Sequence, residues 1–427
     1  MRNIILLLLL VAGFWQKSYS QNTLQYFINE AKHNSPLINK SKNDIKIAEL
    51  DLKQIKRVLS IPEISLSGSV LFAPIVSRDN NAKQFEWISK GAVNYTGYDL
   101  ASTDGGQYLA GILIKQPLFK KSEFQSFSNK ADISKKINQN NIEITVHQLE
   151  QLVGYQYILC MKSKKQAKNS LSILNQVKKQ IDIMQKLVDN AIYKQTDLML
   201  LQITCKDYEI EYKTFRSDYE NNLYGLNLIC GINDTATVDI KETDFVLKPD
   251  IFAYSKFITT YKLDSMNYSA DLKIYEQKYK PQLFLFADAG LNATYLPTLN
   301  RLGFSTGVSF SWTIFDGRQR ELQQQKTNIN LNTLDFKKKN FITQQHIQKN
   351  KILKQIILLE QKEKILEEQI NQYKVLIDTY KKELSSGQIS VMDLKKILNE
   401  FAVKKQDMIL IETERQTLIN SYNYWNY

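Results

Sequence analysis

From Arg318 to Ser386 the chain contains neither glycine nor proline. A continuous helix over that run reaches roughly 100 Å at about 1.5 Å per residue, far longer than a globular core requires. Directly before it, Phe304, Thr306, Val308, Phe310, Trp312 and Ile314 alternate with Ser305, Gly307, Ser309, Ser311 and Thr313. Period two predicts a strand with one apolar face and one small, polar face. Phe315-Asp316-Gly317-Arg318 joins the strand to the helix. Few architectures need a strand about long enough to cross a membrane that feeds straight into such a rod.

Glycine and proline punctuate the rest unevenly. No proline occurs in 118–248 or after Pro297, so the chain reads as helix, strand region, long helices, linker, and then the same again. Pro117-Leu118-Phe119 matches Thr313-Ile314-Phe315, and Thr196-Asp197-Leu198 matches Met392-Asp393-Leu394, both at an offset of 196. Ile61-Pro62-Glu63-Ile64 answers Lys280-Pro281-Gln282-Leu283 at 219, so the first strand region is 23 residues longer. The excess, with Asn80-Asn81, Gly91, Gly97 and Asp104-Gly105-Gly106, is expected to be loop. The first repeat spans 21–230, with two strands within 61–119, a long helix and a return helix at 197–229. A linker follows at 231–249, in which Thr237–Ile240 is expected as a short strand. The second repeat spans 250–427, with two strands within 281–315, a long helix at 318–386 and a return helix at 391–425.

The fold class is therefore mainly α with a membrane β-barrel portion: long antiparallel coiled-coil helices plus four strands per chain. Four strands cannot close a barrel, whereas a trimer contributes twelve. In the first repeat Ile64, Leu66, Val70 and Phe72 alternate with serines, and in the second Leu283, Leu285, Ala287, Ala289 and Leu291 mark one face. Phe284 and Phe286 spoil that alternation, and the pattern gives no reason for them. A 4-3 spacing runs from Ile352 through Ile356, Leu359, Glu363, Leu366, Ile370, Tyr373, Ile377 and Tyr380 to Leu384. The returning seam runs Leu394, Ile397, Phe401, Lys404, Met408, Ile411, Arg415, Leu418 and Tyr422. Such seams predict supercoiled packing. Between them Gly387 is placed to end one helix, and Ser390 with Asp393 forms a capping box for the next. The counterpart, Asn190 to Thr196-Asp197, keeps the cap and lacks the glycine.

The first twenty residues carry Arg2, an apolar run from Ile4 to Ala12, and Ser18-Tyr19-Ser20 before Gln21. They read as a secretory leader at 1–20, with a mature start at Gln21 and no lipidated cysteine, since the first is Cys160. Losing Arg2 and Lys17 takes the net charge from +12 to +10. The charges are interspersed along helix faces, so a solvated surface is expected and nucleic acid is not a partner. Cys160, Cys205 and Cys230 are odd in number; small buried helix residues are expected, with one pair at most able to bridge. No phosphate loop, dinucleotide fingerprint or nucleophile elbow is present, and His33, His147 and His346 are isolated. No catalytic, cofactor or metal site is expected, and His147 and His346 are expected on helix surfaces.

The leader, the two repeats, the Phe315-Asp316-Gly317-Arg318 exit and the Gly387, Ser390, Asp393 tip together resemble the TolC family of outer-membrane efflux proteins over essentially the whole mature chain. The resemblance implies a homotrimer, with a twelve-stranded barrel in outer-membrane lipid and a helical tunnel through the periplasm. It implies as partners a periplasmic adaptor and an inner-membrane pump, and as cargo drugs, ions or proteins, by efflux or type I secretion. It places Thr196, Asp197, Gly387, Ser390, Asp393 and Lys396 at the periplasmic tips, and Val308, Phe310, Trp312 and Ile314 on a lipid-facing strand. Asp393 reads as a helix cap and as one member of a three-fold acidic ring. Family members often carry two acidic residues three apart past the second tip; here the second position is Lys396. The first repeat also departs, ending its strands with Leu118-Phe119-Lys120-Lys121 and no glycine turn. A periplasmic adaptor is the alternative, which should show one hairpin flanked by compact β-domains. A secreted coiled coil would leave the alternating strands unexplained.

Overall fold

The computed structural model describes residues 22–79, 83–87, 91–97, 106–249, 255–295 and 301–427. The expected leader, together with Asn80, Asn81, Asp104 and Gly105 of the expected loop, lies outside the described residues. In chain order the elements are α1 (Leu24–Asn34), α2 (Pro36–Ser60), β1 (Glu63–Phe72), β2 (Ile75–Ser77), β3 (Gln84–Glu86), β4 (Tyr95–Thr96), β5 (Gly106–Leu118), α3 (Lys121–Asp189), α4 (Gln195–Cys230), α5 (Lys256–Tyr275), β6 (Gln282–Tyr295), β7 (Arg301–Ser311), α6 (Gln319–Ser385) and α7 (Val391–Trp425). The leading helix is split because Ser35, which precedes Pro36, takes the extended conformation that proline imposes on its neighbour. The chain divides into two compact units: residues through Lys42, Gln139–Tyr261 and Phe336–Tyr427 in one, and Asn43–Asn138 with Lys262–Asp335 in the other.

The unit that holds the strands contains a four-stranded antiparallel sheet in the order β1-β5-β6-β7. The pairing joins strands of both repeats, with Gly106–Leu118 of β5 running against Leu283–Tyr295 of β6. The 23 extra residues of the first repeat are not only loop. They include a second sheet, β3-β2-β4, whose strands are three, three and two residues long. Ala73, Ile75, Ser77 and Ala92 are buried there, and the Asp79 carboxylate accepts from Val93 N at 3.0 Å and Asn94 N at 2.9 Å. Phe72, at the end of β1, packs against Trp87 with ring centroids 4.8 Å apart.

The helical unit packs its two hairpins on one another. One core cluster takes Ile173, Val177 and Met184 from α3, Leu198 and Leu201 from α4, Ile377 and Leu384 from α6, and Leu394 and Leu398 from α7. Burial of a shared apolar stripe removes enough apolar area to hold rods whose own propensity is modest. The two seams break at polar residues that meet: Arg415 Nε lies 3.0 Å from Glu363 Oε2. The linker holds no strand at 237–240. Its backbone is satisfied instead by side chains, since Tyr219 donates to Val238 O at 2.7 Å and accepts from Ile240 N at 3.1 Å, and Tyr157 donates to Lys241 O at 2.6 Å. Cys160, Cys205 and Cys230 are free and buried, and burial pushes the Cys160 and Cys230 thiols up to about 12.

Candidate functional site

The sheet has two chemically distinct faces. Register places Leu66, Ile112, Ala289 and Phe304 in one row across all four strands, and Ser67, Gly111, Gly290 and Gly303 in the next. Rows alternate in this way because successive side chains point to opposite sides of the pleat. The apolar face is left open: Leu66 is 84% exposed, Phe304 88%, Val308 60% and Phe310 64%. Trp312 and Ile314 do not belong to the strand. The ladder stops at Ser311 opposite Gln282, because the chain before Gln282 is already a helical turn at Glu276–Tyr279. Trp312 instead donates its Nε1–H to Tyr279 O at 3.1 Å. β1 and β7 are the sheet edges, each paired on one side only among the described residues.

The small-residue face explains Phe284 and Phe286. Phe286 lies opposite Gly307, where a Cβ would sit 2.6 Å from its ring, so the glycine makes room for an aromatic lid over the strand. Phe284 carries the Lys115 ammonium 4.4 Å from its ring centroid. On the same face Ser305 donates to Asp288 Oδ1.

The exit from β7 is built from Asp316. Its Oδ1 accepts from Gln319 N at 3.1 Å, starting α6, and its Oδ2 accepts from the Tyr279 hydroxyl. That hydroxyl, with the backbone N–H of Gln319, holds the carboxyl below its ordinary range. Gly317 and Arg318 both take positive φ, at 69° and 66°. At the corresponding exit from β5 no glycine is present, and Phe119 itself takes φ 56°.

The hairpin tips share one geometry. Ile192 N donates to Leu187 O and Ala191 N to Val188 O; Gln388 N donates to Glu383 O and Gly387 N to Leu384 O. Both are Schellman closures, which need a left-handed residue. Gly387 supplies it at φ 74°, and Ala191 supplies it at 62° against the steric cost of its Cβ. Past the second tip the capping box is complete: Asp393 N donates to Ser390 Oγ at 3.1 Å and Ser390 N to Asp393 Oδ2 at 3.2 Å. These bonds, the Ser390 hydroxyl foremost and with Lys396 nearby, hold the Asp393 carboxyl below its ordinary range. Past the first tip the cap falls at Lys194. Asp197 Oδ2 accepts from Lys194 N at 3.1 Å, but a lysine side chain offers no acceptor, so only half of a box forms. Thr196, Asp393 and Lys396 are exposed, and Asp197 is half-buried.

Sequence reasoning missed two groups. Tyr193 ties the tips together, its hydroxyl lying 2.7 Å from Ile389 O and 3.1 Å from Leu384 O. The only signal is the repeat offset, which puts a tyrosine opposite Ile389. His147 is not on a surface. It is 4% exposed and stacked between Tyr424 and Tyr427, with centroids at 5.2 and 3.8 Å. Its Nε2 lies 3.0 Å from Tyr424 O, so Nε2 carries the proton. Its Nδ1 faces Glu150 Oε2 at 3.9 Å, too far for a hydrogen bond, whereas Lys32 Nζ lies 2.7 Å from Oε1. With the Lys32 ammonium against Oε1, the Glu150 carboxyl is brought down to about 2.

Among the described residues no group of His, Cys, Asp or Glu is placed to hold a metal ion, and no helix is long and apolar enough to cross a membrane. No family model and no curated protein matches the sequence. Solved structures do match. The outer membrane protein VceC from Vibrio cholerae superposes with a TM-score of 0.68 at 12% identity, covering 94% of this chain and 96% of that one. The CmeC outer membrane channel of Campylobacter jejuni gives 0.67 at 12%, covering 94% and 85%. The open state of the MtrE outer membrane channel of Neisseria gonorrhoeae gives 0.66 at 12%, covering 94% and 88%. The chain has the fold of these outer-membrane channels.

Proposed function

We propose that the chain is an outer-membrane exit channel of a tripartite efflux or type I secretion system, working as a homotrimer. One observation carries the reading: a four-stranded sheet with an exposed apolar face, and with two edges unpaired among the described residues, continues into helices of 69 and 67 residues. In hydrocarbon an unpaired edge costs several kcal/mol per backbone group, so such a sheet belongs in a closed barrel. Three copies supply twelve strands, an even number as bacterial barrels require. The apolar rows, with Val308 and Phe310, then face lipid, and the small-residue rows face a lumen. Trp312, past the strand end, sits where barrels carry their interfacial aromatics.

The helical hairpins form the periplasmic tunnel, whose tips, with Thr196, Asp197, Gly387, Ser390, Asp393 and Lys396, meet an adaptor and an inner-membrane pump. The chain is a conduit with no enzymatic step, and its cargo is a drug, ion or protein. The adaptor alternative is disfavoured by two hairpins packed together and by the open apolar sheet face. The test is reconstitution of the purified protein in planar bilayers after membrane fractionation. Recovery in the outer membrane with stable unitary conductance is expected; a soluble periplasmic protein without conductance would overturn the reading.

A further inference from the structure

The strand-bearing unit contains a cavity of about 470 Å³ where the end of α2 meets the base of the sheet. That volume lies within the range of small-molecule sites. Its walls include Val58 and Ile61, which are 64% and 54% exposed, and the ring of Phe284. Its charges are unbalanced: Arg57, Lys115 and Lys120 line it against the single carboxylate of Glu63.

The three cations are not equivalent. Lys120 is engaged, with its Nζ 2.8 Å from Glu123 Oε2 and a further bond to Gln282. Lys115 has an aromatic partner, the Phe284 ring at 4.4 Å. A ring positions an ammonium without cancelling its charge, so the positive field stays available to an anion. Lys115 pairs in register with Glu63 and with Phe286, which places it on the small-residue face. Glu63 and Lys115 form no ion pair with each other among the described residues, although their Cα atoms are ladder partners.

We propose that this cavity binds an amphipathic anion, an apolar body bearing a carboxylate or sulfonate, as a station on the cargo path. The headgroup sits between Lys115 and Arg57, and the apolar body lies against Val58, Ile61 and Phe284. The assignment of the small-residue face to a lumen rests on the channel reading above; the cavity and its charge do not. A cationic amphiphile of the same shape meets like charge at the head and is refused.

The test is isothermal titration of decanesulfonate, below its micellar concentration, into the full chain in zwitterionic nanodiscs, with empty discs as the baseline. Saturable binding is expected, absent for decyltrimethylammonium. Arg57→Gln with Lys115→Gln should weaken it about tenfold or more, the scale of one lost charge-assisted contact. Lys115→Arg should retain it, which separates loss of charge from loss of fold. Equal affinity in the double variant, equal binding of the cation, or no saturable binding because a second copy fills the cavity would each overturn the proposal. Conductance recorded on the same preparation reports on the channel reading separately.

Discussion

At the scale of single residues, the two tips form a natural comparison. Gly387 adopts φ 74° at no steric cost, whereas Ala191 adopts φ 62° in the same closure. Ala191→Gly should therefore stabilise the protein by about 1 kcal/mol, and Gly387→Ala should cost about as much, read as opposite shifts in thermal melting. Asp393 belongs to a complete capping box and Asp197 to half of one. Asp393→Asn should weaken the capping box without unfolding the hairpin, while weakening cation preference in single-channel recordings. A reversal potential moved by Asp197→Asn and not by Asp393→Asn would mean that the first hairpin lines the entrance. Glu150 gives a pH signature. Its carboxyl is depressed to about 2, so its contribution to stability is complete above about pH 4.5 and is lost as pH falls toward 2. Glu150→Gln should lower the melting temperature at pH 7, and the gap to the native protein should close on acidification. A gap that widens in acid would exclude the Lys32 account.

At the scale of elements, hairpins and strands differ in what the sequence discloses. The return helix Val391–Trp425 is legible because Gly387, Ser390 and Asp393 mark its start and nothing interrupts it. Glu363 and Arg415 are legible as seam breaks, but their meeting is not, since a heptad pattern reports a face and not its partner. The same limit explains Trp312 and Ile314. Alternation runs past Ser311, but a ladder lasts only as long as the opposing strand, which begins at Gln282. The β2, β3 and β4 strands are too short to show any period. The burial of His147 is not legible because its partners, Tyr424 and Tyr427, lie far along the chain. Tyr193 is a similar long-range tie. Tyr193→Phe removes the hydroxyl near Leu384 O and Ile389 O, and should lower stability by about 1 kcal/mol while leaving both helices intact by circular dichroism. An unchanged melting temperature would show that water replaces the tie.

At the scale of the whole molecule, the proposed trimer closes through β1 and β7, each paired on one side only among the described residues. Chemical cross-linking of detergent-extracted protein should stop at three chains, and a monodisperse monomer with full β-sheet signal would contradict the twelve-stranded barrel. Those edges also have a genetic consequence. In the proposed trimer every chain lends two edges to its neighbours, so a defective copy that still pairs is built into the pore with the sound ones. In a cell making equal amounts of both, only about one assembly in eight would be free of the defect, because three draws must all succeed. A non-conducting variant that keeps β1 and β7 intact should therefore act dominantly over the native copy. One that loses the edges should be recessive, discarded before it can spoil a partner.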